Sequence, residues 1–128
     1  MATDTAQKKL QGELEKFKAV QKDYQKALAA RQQLDAQLSE NNIVKSELEE
    51  LETEAQVYKM MGPVLIKQDV DEAKQTVKKR IEYITGELKR QETNIKDLEK
   101  QQDSYREKLS KLQQELQKAQ MKQIGVKS

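Results

Sequence analysis

The 128-residue sequence contains no cysteine, no histidine and no tryptophan, and it has one phenylalanine, one proline and four glycines. Without cysteine there is no disulfide framework and no thiol chemistry, which fits a reducing compartment. Without histidine the chain lacks the side chain that most often serves as a base or metal ligand near neutral pH. It also lacks a nucleophile elbow, a glycine-rich phosphate loop and any metal-ligand spacing, so no catalytic, cofactor or metal site is expected. Aromatics are 4% and charged residues 36% of the chain, too few bulky groups for a compact core of this length. The net charge of +2 comes from 24 basic and 22 acidic side chains. Their signs are interspersed, so no nucleic-acid or lipid partner is expected. Met1-Ala2-Thr3-Asp4 carries no apolar signal region and no run approaches membrane-spanning length, so a cytoplasmic or nuclear protein is expected, the cytoplasm first.

What the chain does have is period. Steps of four and three from Val70 reach Lys74, Val77, Ile81, Ile84, Leu88, Gln91, Ile95, Leu98, Gln102, Tyr105, Leu109, Leu112, Leu116 and Ala119. Nearly all of these are apolar, over seven heptads, which predicts a coiled-coil helix over about 69–120. Asp69 followed by Glu72 has capping-box spacing and marks its start. An earlier helix is predicted over about 5–52, with Thr3, Asp4 or Thr5 as cap. Its seam runs through Leu10, Leu14, Phe17, Gln21, Tyr24, Leu28 and Arg31. It resumes after a three-residue step at Leu34, Leu38 and Asn41, and again at Val44, Leu48, Leu51 and Ala55. Such a slip changes the winding without ending a helix.

The lone proline, in Gly62-Pro63, lies almost midway. Folding there pairs Phe17 with Tyr105, Leu34 with Leu88, Leu38 with Ile84, Gln21 with Gln102 and Arg31 with Gln91 in one antiparallel register. Polar layers opposite polar layers penalise slipped pairings. The predicted fold is therefore mainly α: a long antiparallel two-helix coiled coil with one β-hairpin at the helix–helix connection, in a single domain. Each arm is roughly 65–75 Å at the helical rise per residue. Residues 121–128, with Met121, Ile124 and Val126, are expected to form a flexible tail.

The connection, residues 55–68, breaks the helical period. Val57, Tyr58, Met60 and Met61 precede Gly62-Pro63; Val64, Leu65 and Ile66 follow it. Gly62 suits the positive φ of a type II′ turn and Pro63 the next position, which opposes Met61 to Val64 and Met60 to Leu65; a longer, looser loop is the alternative. Both faces carry large apolar side chains, both edges lack a partner, and an isolated hairpin is marginal in water. This segment is expected to complete a sheet with other chains. Met60 and Met61 are read as sheet core before an adaptable binding surface. Off the seam, Ile43 and Tyr83 are candidate contacts with a neighbouring subunit.

At the opposite end of the coil, Leu10, Leu14, Phe17, Tyr105, Leu109, Leu112 and Leu116 are the last heptads. Two-helix ends fray, and fraying presents an apolar patch to a bound polypeptide. A structural spacer in another complex is the rival reading, and it leaves these residues with seam packing alone.

Three stretches resemble one family: Asn41-Asn42-Ile43-Val44-Lys45-Ser46-Glu47-Leu48, the hairpin Val57 to Gln68, and Arg80-Ile81-Glu82-Tyr83-Ile84. They are similar to the β-type subunits of prefoldin, and the likeness covers nearly the whole chain. The resemblance implies a hetero-hexamer of two α-type and four β-type subunits whose hairpins join in a double β-barrel platform. It implies ATP-independent capture of non-native proteins, actin and tubulin among them, at the coiled-coil tips, and their delivery to the cytosolic chaperonin. On that resemblance Val57 to Gln68 build the platform and the seven tip residues touch clients.

Overall fold

A computed structural model describes residues 2–52 and 55–125, apart from the side chain of Ala2. Helix α1 spans Ala2–Glu49, strands β1 and β2 span Val57–Met61 and Val64–Gln68, and helix α2 spans Val70–Gln123. Val126 of the expected tail lies outside the described residues.

Helix α1 ends before Glu52, the limit that composition alone suggests. Glu47, Glu49, Glu50 and Glu52 crowd its C-terminus and no basic residue sits in the last turn. Carboxylates at the negative end of the helix dipole oppose continuation. The chain leaves through a turn in which the Ala55 amide donates to the Glu52 carbonyl at 2.9 Å. Helix α2 starts as its cap predicts: the Asp69 carbonyl accepts from the Ala73 amide at 3.0 Å, the first helical bond. It continues beyond Gln120 to Gln123 and closes at Gly125, whose φ is 75°. Positive φ costs glycine nothing and lets the last carbonyls find donors.

The chain divides into two units, residues 1–28 with 93–128, and residues 29–92. In the first, Val20, Ala27, Ile95 and Leu98 are buried together, with Tyr24, Leu28 and Tyr105 packed against them. The Tyr24 hydroxyl donates to Glu99 Oε1 at 3.3 Å, and the Arg106 guanidinium stacks 5.7 Å from the centre of the Phe17 ring. These contacts run the two helices antiparallel, with Phe17 beside the turn that carries Tyr105. In the second unit Leu48, Ala73 and Val77 form the buried cluster, with Val57 and Ile81 against it.

Burial revises the seam of α1. Its inward rows are Ala6, Glu13, Val20, Ala27, Leu34, Asn41 and Leu48, and Leu10, Phe17, Tyr24, Arg31 and Leu38, all buried or half-buried. Both rows repeat every seven residues, so the three-residue step at Leu34 is not needed. Leu14 is 39% exposed and Gln21 is exposed. They flank the seam, and the Gln21–Gln102 layer is not formed. On α2 the predicted positions hold with one exchange: Lys74 is exposed and Ala73 is buried. Small residues at these places let the helix backbones approach, which a search for large apolar side chains passes over.

Candidate interaction surfaces

The hairpin is a two-stranded antiparallel sheet with Met61↔Val64, Met60↔Leu65, Lys59↔Ile66, Tyr58↔Lys67 and Val57↔Gln68 as pairs. Gly62 has a φ of 59° and no non-glycine residue among those described has a positive φ. Pro63 therefore keeps its usual negative φ, the sign pattern of a type II′ turn. Pairing places Val57, Lys59, Met61, Val64, Ile66 and Gln68 on one face and Tyr58, Met60, Leu65 and Lys67 on the other, since opposed residues share a face. Only Val57, at the base, reaches the helix cluster of its unit. The rest stands in solvent: Met60 is 74%, Leu65 61% and Val64 55% exposed, with Tyr58, Met61 and Ile66 at about half. Two apolar faces cannot both be covered by a single chain layer.

Edge chemistry points the same way. After a two-residue turn the flanking pair is hydrogen-bonded and the pattern alternates. The N–H and C=O groups of Tyr58 and Met60 on β1, and of Leu65 and Lys67 on β2, thus point away from the partner strand. They form two unpaired edges, among the described residues. Such edges are templates for strand addition.

The terminal seam residues are less enclosed than the centre of their unit. Leu10, Phe17, Tyr105, Leu109, Leu112 and Leu116 are half-buried, Leu14 is exposed, and beyond them Met121 and Ile124 are exposed. Ala6 is the one buried apolar residue described there before Val20. Two polar groups weaken this seam. Gln102 is buried, its Nε2 has no partner within the chain, and Arg106 approaches its Oε1 at 3.5 Å, the edge of bonding range. Glu13 keeps Oε2 buried without a partner while Oε1 lies 3.5 Å from Lys16. An unsatisfied buried polar atom costs about 1–3 kcal/mol. The ion pairs Glu13–Lys16, Glu87–Arg90 and Asp103–Arg106 each lie within one helix and do not bridge the seam.

Periodicity singled out neither Glu13 nor Gly12. Gly12 sits inside α1, where glycine costs about 0.5–1 kcal/mol relative to alanine. A Cβ built on it meets nothing within 4 Å, so no close packing demands a glycine there. In the other unit Ile43 and Tyr83 are 59% and 69% exposed, and Tyr83 borders an open groove with Gln37, Asn41, Thr76 and Arg80. Asn41 does not pair across the seam; its Nδ2 donates to the Gln37 carbonyl at 2.8 Å. Among the described residues, no cluster of ligating side chains fits a metal and no helix is long and apolar enough to cross a membrane.

Known proteins share this arrangement. The family model described as prefoldin subunit matches residues 11–123. Prefoldin subunit 6 of Homo sapiens is 54% identical over 119 residues, which is 93% of this chain and 92% of that protein. Prefoldin subunit 6 of Arabidopsis thaliana is 46% identical over 111 residues, 87% of this chain and 86% of its own. The crystal structure of the prefoldin beta subunit from Thermococcus strain KS-1 superposes with a TM-score of 0.55 at 28% identity, covering 87% of this chain and 91% of that one.

Proposed function

This chain belongs to the prefoldin family of chaperone subunits, and on that footing we propose that it works as one β-type member of a hetero-hexamer that captures unfolded proteins without ATP. The observation that carries the proposal is the hairpin, apolar on both faces and open at both edges. Burying Tyr58, Met60, Met61, Val64, Leu65 and Ile66 removes several half-exposed large side chains from water, each contributing about 1 kcal/mol or more. Strands from other prefoldin subunits satisfy the outward amides of Tyr58, Met60, Leu65 and Lys67. Assembly is thus the reason for this sheet's composition.

Capture is assigned to Leu10, Leu14, Phe17, Tyr105, Leu109, Leu112 and Leu116. The half-buried state of all but the exposed Leu14, and the unsatisfied Gln102 and Glu13, support a seam that opens at low cost. Several such ends on one assembly raise the effective concentration for one client and turn weak contacts into useful retention. Actin and tubulin are the proposed client class and the cytosolic chaperonin the proposed recipient, acting in the cytoplasm.

The test separates assembly from capture. Native mass of the chain mixed with α-type and other β-type subunits should show a defined hetero-hexamer. Leu65→Lys should abolish it. Paired polar changes at Phe17 and Leu112 should keep the hexamer and lose suppression of client aggregation. A chain that remains monomeric with those partners would sink the platform reading. Full client protection in the tip variant would favour a structural spacer.

A further inference from the structure

Charge is not shared evenly between the two units. Residues 1–28 and 93–128 hold fourteen basic and nine acidic side chains, whereas residues 29–92 hold ten and thirteen. The whole basic surplus therefore belongs to the unit that carries the start of α1 and the end of α2. Within it an open groove of about 500 Å³ is lined by Lys9, Gly12, Glu13 and Lys16 of α1 and by Lys108 and Leu112 of α2.

The heptad places Lys9, Lys16 and Lys108 immediately beside the seam, on the flank where antiparallel helices set like positions against each other. Lys16 and Lys108, set against each other there, repel unless an anion lies between them. Glu13 answers only Lys16, at 3.5 Å. Lys108 lies 5.3 Å from the ring of Tyr105 on its own helix, a contact that does not neutralise it. Gly12, with open space where its Cβ would stand, leaves the groove without a wall at its middle. Leu112 supplies an apolar floor, half-buried.

We infer that this groove selects client segments in which acidic residues alternate with large aliphatic ones, the carboxylates meeting Lys9 and Lys108 and an aliphatic side chain entering over Gly12 onto Leu112. The inference rests on the capture reading and adds to it a client chemistry. The chain then discriminates among unfolded proteins by charge pattern, and capture by this subunit depends on ionic strength. Exposed charges respond in that way because screening at physiological salt acts over about 8 Å, and complementary charge governs encounter more than final affinity.

The test uses the full-length chain and a fluorescein-labelled peptide of alternating glutamate and leucine, beside its glutamine–leucine counterpart, read by anisotropy. At low salt the acidic peptide should bind about threefold to tenfold tighter, the scale of two or three exposed charge contacts. That advantage should vanish at about 0.5 M salt, where the screening length is a few ångströms. Lys9→Glu with Lys108→Glu should remove or invert the preference and leave the glutamine peptide unaffected. Gly12→Leu should weaken both peptides while helix content stays the same or rises. Equal affinity for the two peptides at low salt overturns the inference and leaves client capture standing. Unchanged affinity in Gly12→Leu overturns the groove as the place of binding. Binding of neither peptide, with no suppression of client aggregation, overturns the inference together with the capture reading. Duplex DNA or phosphatidylserine vesicles held as tightly as the acidic peptide would make the site a general polyanion surface and overturn the assignment to clients.

Discussion

Replacing Gln102 by leucine should stabilise the protein. Gln102 is 7% exposed and occupies an inward heptad position between Leu98 and Tyr105. Its Nε2 is buried with no partner in the chain, a state that costs about 1–3 kcal/mol relative to solvation. The contact it gives up is a 3.5 Å approach from Arg106, which also bonds Asp103 at 3.1 Å. Leucine removes the unsatisfied amide and adds apolar burial, against some repacking strain. A net gain of about 1–2 kcal/mol is expected, or an increase in Tm of about 3–10 °C for a chain of this size. Thermal melts followed by far-UV circular dichroism measure it. Gln101→Leu is the control, because Gln101 is exposed and its Nε2 bonds Asp97 at 2.8 Å on the same helix; that change should leave Tm nearly fixed or lower it slightly. If Gln102→Leu melts at or below the wild-type temperature, the idea that this layer holds the seam at a disadvantage is refuted. The same variant should capture less unfolded client, since a firmer seam opens less often.

The remaining changes address separate parts of the molecule. Ile95→Ala, at 3% exposure the most buried apolar side chain described, should cost about 2–4 kcal/mol in a denaturant titration, the range for buried isoleucine truncations. Gly62→Ala should strain the turn, because an L-side chain at φ 59° costs about 1–2 kcal/mol; the loss should appear in the yield of assembled oligomer more than in helix melting. Ile66→Lys should leave the circular dichroism of the separate chain unchanged and remove it from the oligomer by native mass. Leu14→Ser, at a site already 39% exposed, should alter Tm little and reduce client retention, as seen in aggregation assays.

How much of this was legible beforehand differs by element. On α2 the heptad could be read everywhere but at Lys74, since one row of large apolar side chains has no competitor and a 54-residue helix follows. The hairpin was legible too: Gly62-Pro63 admits few turns, and the pairing it dictates, Met61 with Val64, is the one observed. The exposure of Met60, Leu65 and Ile66 followed from there being no third strand to cover them. The roles of these residues and of the terminal seam belong to the proposal above. Gly12 and Glu13 were not legible, because a glycine and a carboxylate within a helical run read as solvated surface until the partner helix is in place.

The amino-acid sequence alone determined two helices, the turn between them and a hairpin that one chain cannot cover. These follow from local period and from backbone limits at glycine and proline, which act over a few residues. Only the tertiary structure decided which row of α1 faces inward. Leu14 and Gln21 belong to one row and Glu13 and Val20 to another, and side-chain size favours the first. Packing against the unbroken heptads of α2 favours the second, because both helices must keep a common period along the seam, and small residues there let the backbones approach while a leucine beside it stays free.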